Sequence, residues 1–123
     1  MAGFSPQVRA MVEEREGGRC ARCGRPGNQA HHRRPRGSGG SRRASTNGVA
    51  NGLWLCPDCH RFIEANRTIA LALGWLIAQE DTECPEPADA PLVYRGVWMY
   101  LTDDGCLDPV LTPDGDPVHG PPV

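Results

Sequence analysis

The chain has 123 residues, 39% of them hydrophobic, and a formal net charge of −2. That length suits one compact domain whose thin apolar core calls for an added staple; no apolar run is long enough to span a membrane, and Met1-Ala2-Gly3-Phe4-Ser5 has neither the charged nor the apolar region of a secretory leader. A cytoplasmic protein with reduced thiols is therefore expected. The small net charge conceals an asymmetry: residues 1–67 carry 12 Arg against 5 Asp/Glu, whereas residues 68–123 carry 1 Arg against 10 Asp/Glu. Such a split points to a basic working face and an acidic C-terminal half.

Ser5-Pro6 reads as a helix N-cap followed by Pro at the first helical position. The helix is expected to run to Glu16 and end at Gly17-Gly18, with Val8, Met11 and Val12 on one face. Cys20-Ala21-Arg22-Cys23-Gly24 is a knuckle-like turn, and residues 28–35 form a short strand ending at Pro35. Residues 36–48 are mostly Gly, Ser and Arg and read as an exposed basic loop. Leu53-Trp54-Leu55 is a second short strand; Cys56-Pro57-Asp58-Cys59 is a second knuckle opening a helix that carries His60, Phe62, Ile63 and Glu64. Thr68 is expected to cap a further helix through Leu73, ended by Gly74, and Trp75-Leu76-Ile77 to form a buried strand. Residues 80–91 are acidic and Pro-rich. Val93 to Leu101 then reads as a strand, turned at Asp103-Asp104-Gly105 and returning through Cys106 to Leu111. Residues 112–123, with four Pro and two Gly, read as a disordered tail. The resulting division is an N-terminal helix (1–17), a core (18–78), a linker with a C-terminal β-hairpin (79–111) and the tail (112–123), of α+β class.

Cys20/Cys23 and Cys56/Cys59 make the pattern C-x2-C…C-x2-C. Two thiolates three residues apart converge on one ion from a tight turn, and two such turns supply the tetrahedral sulfur set of structural zinc. The gap between the pairs is longer than in a zinc ribbon, so a sizeable element is inserted. Disulfides are disfavoured by the expected reducing compartment, and a thioredoxin-like motif lacks its βαβ setting. Cys84 and Cys106 are left over as free thiols without an assigned role.

Three of the chain's four His lie in or beside that insert: His31, His32 and His60. Adjacent strand residues point to opposite faces, so His31 and His32 can take different tasks. His60 and Glu64 share one helix face at i, i+4, and Asn51 precedes the second strand.

The run Ala30-His31-His32…Asn51-Gly52-Leu53-Trp54-Leu55-Cys56-Pro57-Asp58-Cys59-His60 resembles the HNH endonuclease family, with its ββα-metal fold. His32-Arg33-Arg34-Pro35-Arg36-Gly37 and Cys59-His60-Arg61-Phe62-Ile63-Glu64, followed by Gly74-Trp75-Leu76, are similar to HNH proteins of actinobacteria and their phages. The resemblance covers roughly residues 18–78. It implies a zinc-stapled ββα-metal core and metal-dependent hydrolysis of DNA phosphodiesters. His32 would be the general base and Asn51 the central Asn that holds the hairpin and orients that base, with Asn47 as the alternative. His31, His60 and Glu64 would hold one catalytic divalent ion such as Mg²⁺ or Mn²⁺, beside the structural Zn²⁺. DNA is the implied partner, with a phage-packaging partner and the host cytoplasm if the chain is phage-encoded. Arg33, Arg34, Arg36, Arg42, Arg43 and Arg61 are candidate grips on the phosphate backbone, which position a duplex without reading sequence.

The chief alternative is a non-catalytic zinc-knuckle DNA-binding module, which accounts for the cysteines and arginines but not for His31, His32, Asn51 and His60. A zinc deaminase needs H-x-E before P-C-x-x-C, and the chain has neither. The apolar Val97, Trp98, Met99 and Tyr100 would cover the core or dock a protein partner.

Overall fold

The computed structural model describes residues 3–35, 44–78 and 86–122. Among the described residues, three α-helices and two antiparallel sheets make an α+β fold. Helix α1 (Pro6–Glu16) begins where the Ser5 side chain accepts the Val8 N–H at 3.1 Å. It stops in a Schellman arrangement: Gly18 N–H bonds the Glu13 carbonyl, Gly17 N–H bonds that of Glu14, and both glycines have positive φ.

Strands β1 (Gln29–His32) and β2 (Gly52–Leu55) form a two-stranded sheet in which His31 faces Leu53 and His32 faces Gly52. Strand alternation gives this hairpin two uses. Ala30 and Trp54 turn toward α1, where Val12, Val49 and Trp54 bury together against Val8 and Met11. Leu53 and Leu55 enter the main core instead. Gly52 is required there, because a Cβ would come within 2.7 Å of Val12 and 3.2 Å of Phe4.

Helix α2 (Pro57–Ala65) starts at Cys56, whose Sγ accepts the Cys59 N–H, and Pro57 takes the first helical position. Asn66 ends α2 and opens α3 (Arg67–Ala72). The expected cap was Thr68, but it lies inside α3; Asn66 intervenes because its side chain bonds the Phe62 carbonyl at 2.8 Å and turns the chain between the helices. Trp75-Leu76-Ile77 is buried as expected but is not a strand. Its backbone donors go singly to Ala70 (from Leu76) and Arg33 (from Ile77) rather than to a ladder. Gly74 (φ +80°) permits this, since a Cβ would meet the Pro91 carbonyl at 2.1 Å.

The segment Val93 to Leu101, expected as one strand, is broken by an Arg95-Gly96 turn with both φ positive. It gives β3 (Leu92–Tyr94) and β4 (Val97–Leu101), joined by β5 (Leu107–Pro109) in a sheet ordered β3-β4-β5. Trp98 and Met99 are partly buried against the main core. The tail, expected to be disordered, makes two backbone pairings over the residues described to 122. Leu111 pairs Pro117 around a turn, and His119 pairs Val97. Pro113 and Gly115 form this turn, and Gly120 lets the chain close over Val93, where a Cβ would fall at 2.7 Å.

One buried cluster runs from Cys20 through Leu55, Ile63 and Trp75 to Leu92 and Leu101. The cluster includes residues on both sides of the expected boundary near residue 78. Arg95 reinforces the join, donating to the carbonyls of Glu16 (2.7 Å), Arg19 and Cys20 (each 3.1 Å). Among the described residues no helix is long and apolar enough to cross a membrane.

Candidate metal centre

Cys20, Cys23, Cys56 and Cys59 bring their sulfurs within 4.8 Å of one another and could hold a zinc ion. None of them is in a disulfide. Backbone N–H groups of Arg22, Arg25 and Cys59 point at the sulfurs of Cys20, Cys23 and Cys56 (3.4–3.5 Å), as donors to thiolates must. Two guanidiniums add charge: Arg22 Nη1 lies 3.3 Å from Cys59 Sγ and Arg25 Nε lies 3.4 Å from Cys23 Sγ. Burial raises the Cys23 thiol, but the Arg25 bonds outweigh it and bring the group down to about 6. Cys59 is pushed up to about 12, because its burial outweighs the bond from Arg22. Arg22 is fixed by stacking: its guanidinium lies 3.8 Å from the Phe62 ring centre and 5.2 Å from that of Trp75.

The second knuckle also sets the start of α2, from which His60 and Glu64 project. Ligand atoms of His31, His60 and Glu64 form a second group within 4.8 Å that could hold a metal ion. His31 is buried and bonds the Trp75 carbonyl through Nε2 at 2.9 Å. A carbonyl only accepts, so Nε2 carries the proton and Nδ1 the lone pair. His60 Nδ1 faces Gln29 Oε1 at 2.6 Å, which likewise leaves the lone pair on Nε2, 3.8 Å from Glu64 Oε1. Burial pulls His31 down to about 4; the Trp75 bond opposes this, while His60, His32 and Arg33 push the same way. The ring is neutral at pH 7, as a ligand must be. The donor set fits a divalent cation: two imidazoles with fixed tautomers and a half-exposed carboxylate, beside an open groove of about 600 Å³ lined by Gln29, His60, Arg61 and Glu64.

His32 lies on the other face of β1. Its Nε2 is 2.8 Å from Asn47 Oδ1, and its ring stacks on Phe4 at 3.9 Å between centres. Asn51, expected to hold the hairpin and to orient His32, ties the segment after β1 to the segment before β2. It is fully buried, accepts from Arg34 N–H and donates to the carbonyls of Arg34 and Thr46. The contact to His32 falls to Asn47, because the turn between the two short 3₁₀ helices Ala44–Asn47 and Val49–Asn51 carries that side chain to the hairpin end.

Arg33 and Arg34 do not grip a phosphate. Both are buried, at 0% and 1% exposure. Arg33 spends its donors on the carbonyls of Gly74, Ala50, Pro87 and Ala90; Arg34 pairs with Ser45 and Glu86. Arg61 is exposed on the groove and pairs with Asp58. Arg36, Arg42, Arg43 and Cys84 lie outside the described residues. Gln29 and the Trp75 carbonyl carried no sequence signal, since their relevance depends on what folds against them.

No family model matches this chain, and no curated protein or solved structure matches it.

Proposed function

We propose that this chain is a metal-dependent endonuclease of the HNH type that hydrolyses DNA phosphodiester bonds. The observation that carries the reading is the convergence of His31, His60 and Glu64 within 4.8 Å, with His32 next to His31 on the strand. The four-cysteine cluster that could hold zinc anchors the hairpin's neighbour, α2, and so fixes the distance between strand and helix ligands. Its zinc-stapled ββα-metal core would comprise β1, β2 and α2.

His32 takes the proton of the attacking water. A neutral imidazole does this near neutral pH, and Asn47 Oδ1, accepting from Nε2, directs the ring's proton-accepting side away from itself. Arg61 holds the backbone of the strand being cut, and Asn51 keeps the loop before β2 rigid. His31, His60 and Glu64 would hold a divalent ion, which when bound would supply positive charge to the phosphate and the departing oxygen. Two imidazoles and one carboxylate suit a first-row transition ion such as Mn²⁺ better than Mg²⁺, which prefers oxygen and water ligands.

A non-catalytic zinc-knuckle DNA-binding module is the second reading, and one observation favours it: His32 faces away from the His31 group and is stacked under Phe4. Plasmid relaxation separates the two. Metal-dependent conversion of supercoiled DNA, lost in His32→Ala at unchanged zinc content and DNA affinity, supports the nuclease. DNA binding without conversion under Mn²⁺ or Mg²⁺, in zinc-loaded protein, supports the module.

A further inference from the structure

We propose that Gln29 is a positioning residue for the His31–His60–Glu64 site, its amide oxygen selecting the His60 tautomer that can bind a divalent cation. The inference rests on reading that group as a metal site.

Gln29 is the first residue of β1 and lies on the same strand face as His31, two positions on. Its side chain crosses to α2, where Oε1 meets His60 Nδ1 at 2.6 Å. An amide oxygen only accepts, so Nδ1 must carry the ring's single proton, and the lone pair resides on Nε2. Nε2 is the atom directed at Glu64 Oε1, 3.8 Å away. In the other tautomer a proton would occupy that position and His60 could not ligate.

His31 has an equivalent backing from the Trp75 carbonyl at 2.9 Å. That acceptor is backbone and tolerates no side-chain substitution, whereas Gln29 backs His60 with a side chain that mutation can alter. Gln29 also lines the groove beside His60 and Glu64, so its contact with His60 is made at the mouth of the site and not in the core.

The test is Mn²⁺ affinity, by titration calorimetry, of the full zinc-loaded chain and its Gln29→Leu, Gln29→Glu and His60→Ala variants. Wild type is expected to bind one Mn²⁺ beyond its zinc, and His60→Ala to lose it. Gln29→Leu should weaken Mn²⁺ binding about 10–100-fold with zinc content retained. Gln29→Glu, whose carboxylate also only accepts, should bind as tightly as wild type or tighter. If Gln29→Leu fails to hold zinc, Gln29→Asn, which stops one methylene short of His60, carries the same expected loss. Unchanged affinity in Gln29→Leu, or a loss in Gln29→Glu as large as in Gln29→Leu, overturns the role of Gln29 while leaving the metal site standing. Absence of any second ion in wild type overturns both.

Discussion

Replacing Arg33 with Met tests whether this arginine belongs to the fold or to a nucleic-acid surface. Its buried guanidinium lies 3.0 Å from the Gly74 carbonyl, 3.2 Å from that of Ala50, 3.0 Å from that of Pro87 and 2.7 Å from that of Ala90. The Pro87 oxygen also accepts from Ala90 N–H and keeps a partner in the variant. The other three lose their arginine donor. Each buried polar group left unmatched costs about 1–3 kcal/mol, so the variant should lose at least about 3 kcal/mol. Met replaces most of the stem volume, which keeps the cavity contribution small. Against a total stability of about 5–15 kcal/mol, that loss is a large displacement of the unfolding midpoint. Urea unfolding of the zinc-loaded chain, followed by far-ultraviolet circular dichroism, reads it directly. DNA binding should keep its salt dependence, because a lost phosphate contact lowers the slope by about one and Arg33 makes none. A loss under about 1 kcal/mol together with a reduced salt slope would refute the reasoning.

Asn47→Ala and Asn51→Ala should part company: the first is expected to lower plasmid cleavage at least tenfold with little change in stability, the second to destabilise by about 2–4 kcal/mol through its three buried bonds, as thermal unfolding and relaxation assays on both would show. Acid should weaken the fold through His31. Burial first, and then neighbouring positive charge, hold its folded pKa at about 4, below the usual 6.5. The unfolded chain therefore binds more protons in that window. This contribution is complete above pH 6.5 and is lost as pH falls from about 6.5 toward about 4, at up to about 1.4 kcal/mol per pH unit. His31→Gln should flatten that limb relative to wild type in urea titrations at matched zinc content; parallel limbs would show that His31 does not titrate this way.

Features whose cause is local are legible in the order of residues alone. Ser5-Pro6 and Gly17-Gly18 bound α1 because caps need only neighbouring backbone. The two C-x2-C pairs announced a four-sulfur cluster because a knuckle's geometry is set within a few residues. The i, i+4 spacing of His60 and Glu64 put both on one helix face for the same reason. Tertiary structure decided whatever depends on a distant partner. Arg33 and Arg34 stand in a run of arginines that reads as solvated charge, yet distant carbonyls and Glu86 draw them inside. Trp75-Leu76-Ile77 has the composition of a strand, but among the described residues no strand pairs with it. The turn at Pro113–Gly115 brings the tail back because distant backbone receives it: Trp98 N–H donates to the Val118 carbonyl and Gly120 N–H to that of Gly96. Asn47 and Asn51 are chemically alike, and only the path of the chain between β1 and β2 separates the one that touches His32 from the one that locks the loop. Nothing in the sequence around Gln29 marks it, because its contact exists only once α2 brings His60 within 2.6 Å.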